Sequence, residues 1–144
     1  MSTATDGTSR KASGFTIELD REAKVVRVAW LGQVTLELLR AGFSQTRQFA
    51  RGLQLRGAIS DFSSTDSFEL SSDDVYILSR EAPVFETQIP RVTVSGKEHI
   101  FGMARMFELL SDGRSAGIHV VHTMEEAYAL LRLDKPEFTL IQVA

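Results

Sequence analysis

A chain of 144 residues, 43% of them hydrophobic, is long enough to bury a layered core and short enough to be expected as one domain. Sixteen basic against nineteen acidic side chains leave a formal charge of -3, which offers no overall attraction to nucleic acid or to an anionic membrane. The absence of cysteine excludes disulfides, thiolate catalysis, Cys-ligated zinc and iron–sulfur clusters, and no apolar run approaches the roughly 20 residues that span a bilayer.

Residues 1–13 carry no apolar side chain larger than Ala after Met1, so a disordered tail is expected there and a folded α/β unit over 14–144. The stretch Met1–Ser9 is too polar for a signal sequence, which makes a cytoplasmic location the default expectation. Phe15, Ile17 and Leu19 alternate with polar residues, a polar turn follows at Asp20–Ala23, and Val25–Leu31 completes a hairpin signal. Gly32 is expected to break the second strand. Thr35 then caps a helix over 35–53, marked by Leu36, Leu39, Phe43, Ala50 and Leu53. A short strand at 57–62 leads into a polar loop, Ser63–Ser67, and Ser71 with Asp74 stands in capping-box spacing before the next helix.

The second half repeats this order. Arg91–Val94 reads as a strand, Ser95 and Glu98 as a capping box, and Ile100, Met103, Ala104, Phe107 and Leu110 as the buried stripe of a helix ended by Ser111-Asp112-Gly113. Ile118–His122 is another strand, Thr123 and Glu126 another box, and Ala127, Leu130 and Leu131 line the last helix. The apolar segment Phe138–Val143 is open between an added strand and a surface for a partner. Strands separated by helices imply parallel pairing through right-handed crossovers, so 58–62, 91–94 and 118–122 should be neighbours in one mixed, mainly parallel sheet.

Three segments in this order resemble the STAS-like superfamily, in particular the small bacterial SpoIIAA-like proteins: Asp61-Phe62-Ser63 closing a central strand, Phe101–Phe107 within a helix, and His122–Leu131. The likeness covers residues 15 to 133 and extends distantly to the CRAL-TRIO lipid-transfer domains. It implies four or five strands with helices mainly on one face. Members include phosphorylation-controlled partner switches, regulatory domains of anion transporters, and lipid binders, so the resemblance leaves function open. In the phosphorylated members an Asp-Ser-Ser-Gly type turn follows the strand end. Here the counterpart is Ser71-Ser72-Asp73, without the glycine and after a longer loop, which makes Ser71 and Ser72 the candidate phosphorylation sites. Asp73 and Asp74 already place like charge in that helical turn.

Ligands of open α/β sheets collect beyond the carboxyl ends of the strands, which draws attention to Asp61, Ser63, Ser64, Ser95, Lys97 and His122, with Arg105 further along a helix. Lys97 beside Gly96 at a helix start suits an anion or an acidic partner segment, whereas ordinary capping accounts for Asp61 and Ser95 without a ligand. A Ser–His–Asp set through His122 and Asp61 lacks the Gly-x-Ser-x-Gly elbow and an oxyanion loop, which places a hydrolase behind a binding function. No cofactor motif or metal-ligand spacing is present, and Trp30, Phe43, Phe62, Met103, Met106 and Phe107 read as core packing. The expectation is a non-catalytic regulatory or protein-interaction module. The alternative is a carrier or sensor of a lipid or other small hydrophobic or anionic ligand. A homodimer is also open, with Phe101, Leu109 or Phe138–Leu140 as rival contact surfaces, and no nucleic-acid partner is expected.

Overall fold

A computed structural model describes residues 13–85, 89–111 and 117–144; the expected tail therefore lies outside the described residues apart from Ser13, as do Asp112 and Gly113. The alternation at the start of the chain builds β1 (Gly14–Asp20) and β2 (Val25–Thr35), paired antiparallel from Gly14↔Leu31 to Asp20↔Val25. Asp20 closes their turn, its Oδ1 accepting from the backbone N–H groups of Glu22 (3.1 Å) and Ala23 (3.0 Å). Its Oδ2 accepts from Glu137 N at 2.9 Å, tying the C-terminal segment to the hairpin.

Gly32 does not end β2. At φ 72° it makes a bulge that an L side chain would resist, and the strand continues to Thr35 in parallel pairing with β4 (Thr65–Glu69). Much of the expected polar loop is therefore a strand, anchored by the Thr65 hydroxyl donating to Trp30 O at 2.9 Å. Thr35 caps α1 (Leu36–Ala50) by accepting from Leu38 N. This helix stops short of the expected residue 53 because Gly52 turns the chain at φ 83°, leaving Leu53 exposed.

β3 (Gly57–Asp61), β5 (Arg91–Val94) and β6 (Ile118–Val121) are parallel to one another and to β2. The three crossover strands are thus neighbours in one sheet, as their sequence order required. The sheet runs β6-β5-β3-β2-β1-β7, with β4 added to the far end of β2 and β7 (Thr139–Val143) antiparallel to β1. The seven strands among the described residues exceed the four or five expected, the surplus being β4 and β7. Reciprocal capping boxes start α2 (Ser72–Ser79) at Ser71 and Asp74, and α4 (Met124–Leu131) at Thr123 and Glu126. The box expected for α3 (Glu98–Leu110) does not form. Lys97 is its N-cap without a side-chain cap bond, and the buried Ser95 instead accepts from Lys97 N at 3.2 Å.

One face of the sheet buries Ile17, Val26, Val28, Trp30 and Phe62 beneath α1, α2 and α3, represented by Leu39, Leu78 and Ile100. The other buries Val25, Ile59, Val92 and Val94 against Ala127 and Leu131 of α4. Helices therefore lie mainly, though not solely, on one face.

Candidate functional site

The loops at the carboxyl ends of the strands converge. Phe62 N donates to Val94 O (2.9 Å) and Ser95 N to Val121 O (3.0 Å), so the turns after β3, β5 and β6 stand side by side. Their side chains are largely engaged within the chain. Lys97 Nζ donates to the carbonyls of Thr65 (2.6 Å) and Asp66 (3.3 Å), pinning the start of α3 to β4. His122 stacks flat on Phe101, with ring centroids 4.0 Å apart, and its Nε2 stands 3.8 Å from Glu98. Ser63 is exposed and donates its N–H to Asp61 Oδ1 (2.9 Å); Ser64 O accepts from Gly32 N (3.3 Å).

Asp61 turns to the face covered by α4. Its Oδ2 accepts from Arg27 Nε (3.1 Å) and Nη2 (2.5 Å), and Arg27 also pairs with Glu18. Burial works against the Arg27 charge, but Asp61 and then Glu18 outweigh it and hold the guanidinium pKa above its ordinary value. Burial also pushes the nearby Tyr128 phenol up. The pairing Asp61↔Val94↔Val121 puts all of β5 between Asp61 and the end of β6, a separation of about 10 Å in backbone terms. Asp61 and His122 are not brought together as a catalytic pair. Arg105 is exposed on α3 and bonds Glu108 at 2.7 Å. Ser71 and Ser72 are exposed, and the Ser71 hydroxyl accepts from Asp74 N (3.1 Å) as a cap. Among the described residues no three His, Cys, Asp or Glu side chains converge on a metal position, and no helix is long and apolar enough to cross a membrane.

A different feature lies between the sheet and the three helices on its other face: a cavity of about 160 Å³. Its origin is in the strands. The inward positions of β3 and β5 include Ala58, Ser60 and Thr93, too small to meet the overlying helices, and Ala104 presents another small side chain from α3. Aromatic side chains line it, with Phe62 stacked on Trp30 at 5.8 Å, Phe68 edge-on to Phe62 at 5.0 Å, and Phe43 edge-on to Trp30 at 5.7 Å. Trp30 Nε1, Arg47 Nε and Ser111 Oγ are buried without hydrogen-bond partners among the described residues, and all three residues line this cavity. None of Asp61, Ser63, Ser64, Ser95, Lys97, Arg105 and His122 does. Trp30, Phe43, Phe62, Met103 and Phe107 read as core packing in the sequence, yet they are also cavity walls. The available signal was the run of small inward residues, Ala58 and Ser60 on one strand and Thr93 on the next.

No known protein family's profile matches the chain, and no curated protein matches it. Among solved structures it is similar to an uncharacterised protein of the DUF3478 family with a SpoIIAA-like fold from Shewanella loihica PV-4. The match has 16% identity, covers 87% of this chain and 99% of that one, and gives a TM-score of 0.57. At that identity the likeness speaks to architecture alone. The order of strands and the placement of helices described above are accordingly those of a SpoIIAA-like fold.

Proposed function

We propose that this chain is a non-catalytic binding module that senses or carries a small amphiphilic molecule in the cavity between the sheet and α1, α2 and α3. The cavity carries this reading, because folded cores pack densely and an apolar hollow next to unpaired polar atoms resembles a ligand site more than ordinary packing. The strand-end groups support it from the other side. Lys97 satisfies carbonyls of its own chain, which leaves it little to offer an incoming anion, and Asp61 is consumed in an ion pair with Arg27. A protein-interaction role is the second reading, favoured by Leu109, 65% exposed on α3.

Native mass spectrometry under rising collision energy, comparing wild type with Ala104→Phe, tests the proposal. The larger side chain should fill the hollow. Small molecules should be retained or taken up from a panel of benzene-sized amphiphiles by the wild type, and not by a folded variant. Equal uptake by both proteins, or no uptake by the wild type, would remove the cavity from the account. The same spectra report assembly, and a dimer dissociated by Leu109→Ser would favour the second reading.

A further inference from the structure

The cavity has two unlike ends, and the topology sets them. α1 crosses from the carboxyl end of β2 back to the amino end of β3, and α3 from the carboxyl end of β5 back to the amino end of β6. Arg47, in the last turn of α1, and Ser111, the C-cap of α3, therefore reach the same end of the cavity, where Arg91 opens β5. The opposite end is lined by Trp30, Phe62 and Phe68, which belong to the carboxyl side of the sheet.

Arg47 and Ser111 are under-satisfied where they stand. Arg47 Nη2 donates to Ala82 O at a long 3.3 Å, its Nε has no partner, and it forms no ion pair with a described carboxylate. Glu81 also lines the cavity but is held by Arg40, at 3.0 Å from Nε and 2.5 Å from Nη2. Ser111, 1% exposed, has a hydroxyl without a partner among the described residues. An arginine stays charged at any physiological pH, so a guanidinium beside an apolar hollow favours an anion whose oxygens can take its N–H groups. Size narrows the choice further. A cavity of about 150 Å³ holds a benzene-sized molecule, and this one is about 160 Å³.

Resting on the cavity reading, we infer that the ligand is a small monocarboxylate, aromatic or short-chain, of about six to eight carbons in all. Its carboxylate meets Arg47 and Ser111, reached by small side-chain rotations, and its apolar end lies against Trp30 and Phe62.

Trp30 is the only tryptophan, so its fluorescence reports the cavity directly. The experiment titrates two matched pairs, phenylacetate against 2-phenylethanol and hexanoate against hexan-1-ol. Each acid should bind about ten- to a hundredfold more tightly than its alcohol, the span of a hydrogen bond to a charged group. Arg47→Gln should lower the acids to the level of the alcohols while leaving the alcohols unchanged, and Arg47→Lys should restore part of the preference, with circular dichroism confirming each fold. Alcohols binding as well as acids, or a preference that survives Arg47→Gln, would overturn this inference and leave the cavity reading standing. No binding of either class by the wild type would overturn both.

Discussion

Replacing Gly42 with Ala adds one methyl group where α1 lies directly against Trp30 of the sheet. Its Cβ would stand 2.3 Å from Trp30 Cη2, 2.6 Å from Cζ3 and 3.4 Å from Phe15 Cδ2. Ordinary carbon contacts begin near 3.5 Å, so helix or indole must give by roughly 1.2 Å. The indole is wedged between Phe15 (5.6 Å), Phe43 and Phe62, and it lines the cavity. Overpacking costs about 1–3 kcal/mol, and an overlap this large belongs in the upper part of that range, about 2–3 kcal/mol, offset by about 1 kcal/mol because alanine is the better helix former. The expected net loss is about 1–2 kcal/mol, together with altered Trp30 emission. Gly102 supplies the control, since it lies inside α3 with nothing within 4 Å of an added Cβ. Gly102→Ala should gain up to about 1 kcal/mol. Urea unfolding followed by Trp30 fluorescence measures both. A Gly42→Ala protein as stable as the wild type, or a destabilised Gly102→Ala, would refute the packing argument.

Asp61→Ala leaves the half-buried Arg27 with Glu18 as its remaining partner and should cost about 2 kcal/mol in chemical denaturation, whereas replacing all three members, Glu18→Gln with Arg27→Met and Asp61→Leu, should cost less than that single change. Backbone donation, chiefly from Ala23, lowers the folded Asp20 pKa, so its stabilisation is fully present above the ordinary carboxylate value of about 4 and is lost as pH falls through the lowered folded value. Asp20→Asn should therefore flatten the acid limb of stability between about pH 5 and pH 2, and a limb of unchanged steepness would count against that assignment. Lys97→Ala should lose about 1 kcal/mol of stability with its carbonyl bonds and leave carboxylate affinity unaltered in the Trp30 titration.

The crossover order was legible because each strand is followed by a capping signal and an apolar stripe, and the reciprocal bonds at Ser71–Asp74 and Thr123–Glu126 formed as their spacing required. Ser95–Glu98 has the same spacing and forms no box, since a buried Ser95 hydroxyl is drawn to Lys97 two residues on. β4 was hidden by composition. Thr65-Asp66-Ser67 is a polar run, and only the bulge at Gly32, which prolongs β2, gives it a partner. β7 has partly exposed residues throughout, and its strand character depends on β1, more than a hundred residues away. The strand-end cluster was readable as a meeting of loops. That Asp61 faces Arg27 and Lys97 faces carbonyls depends on side-chain direction and on β4, which composition does not carry. The cavity is hardest to read because it is an absence of volume, shared among Ala58, Ser60, Thr93 and Ala104 on three different elements.

Methyl-resolved NMR during titration with phenylacetate tests the central claim most directly, because it locates the ligand without presuming its site. Saturable shifts are expected at Val28, Ala58, Leu78 and Ala104, which line the cavity, and small ones at Val94 and Val121 near the strand-end loops. Shifts concentrated at Val94 and Val121 with the cavity methyls unmoved would contradict that claim.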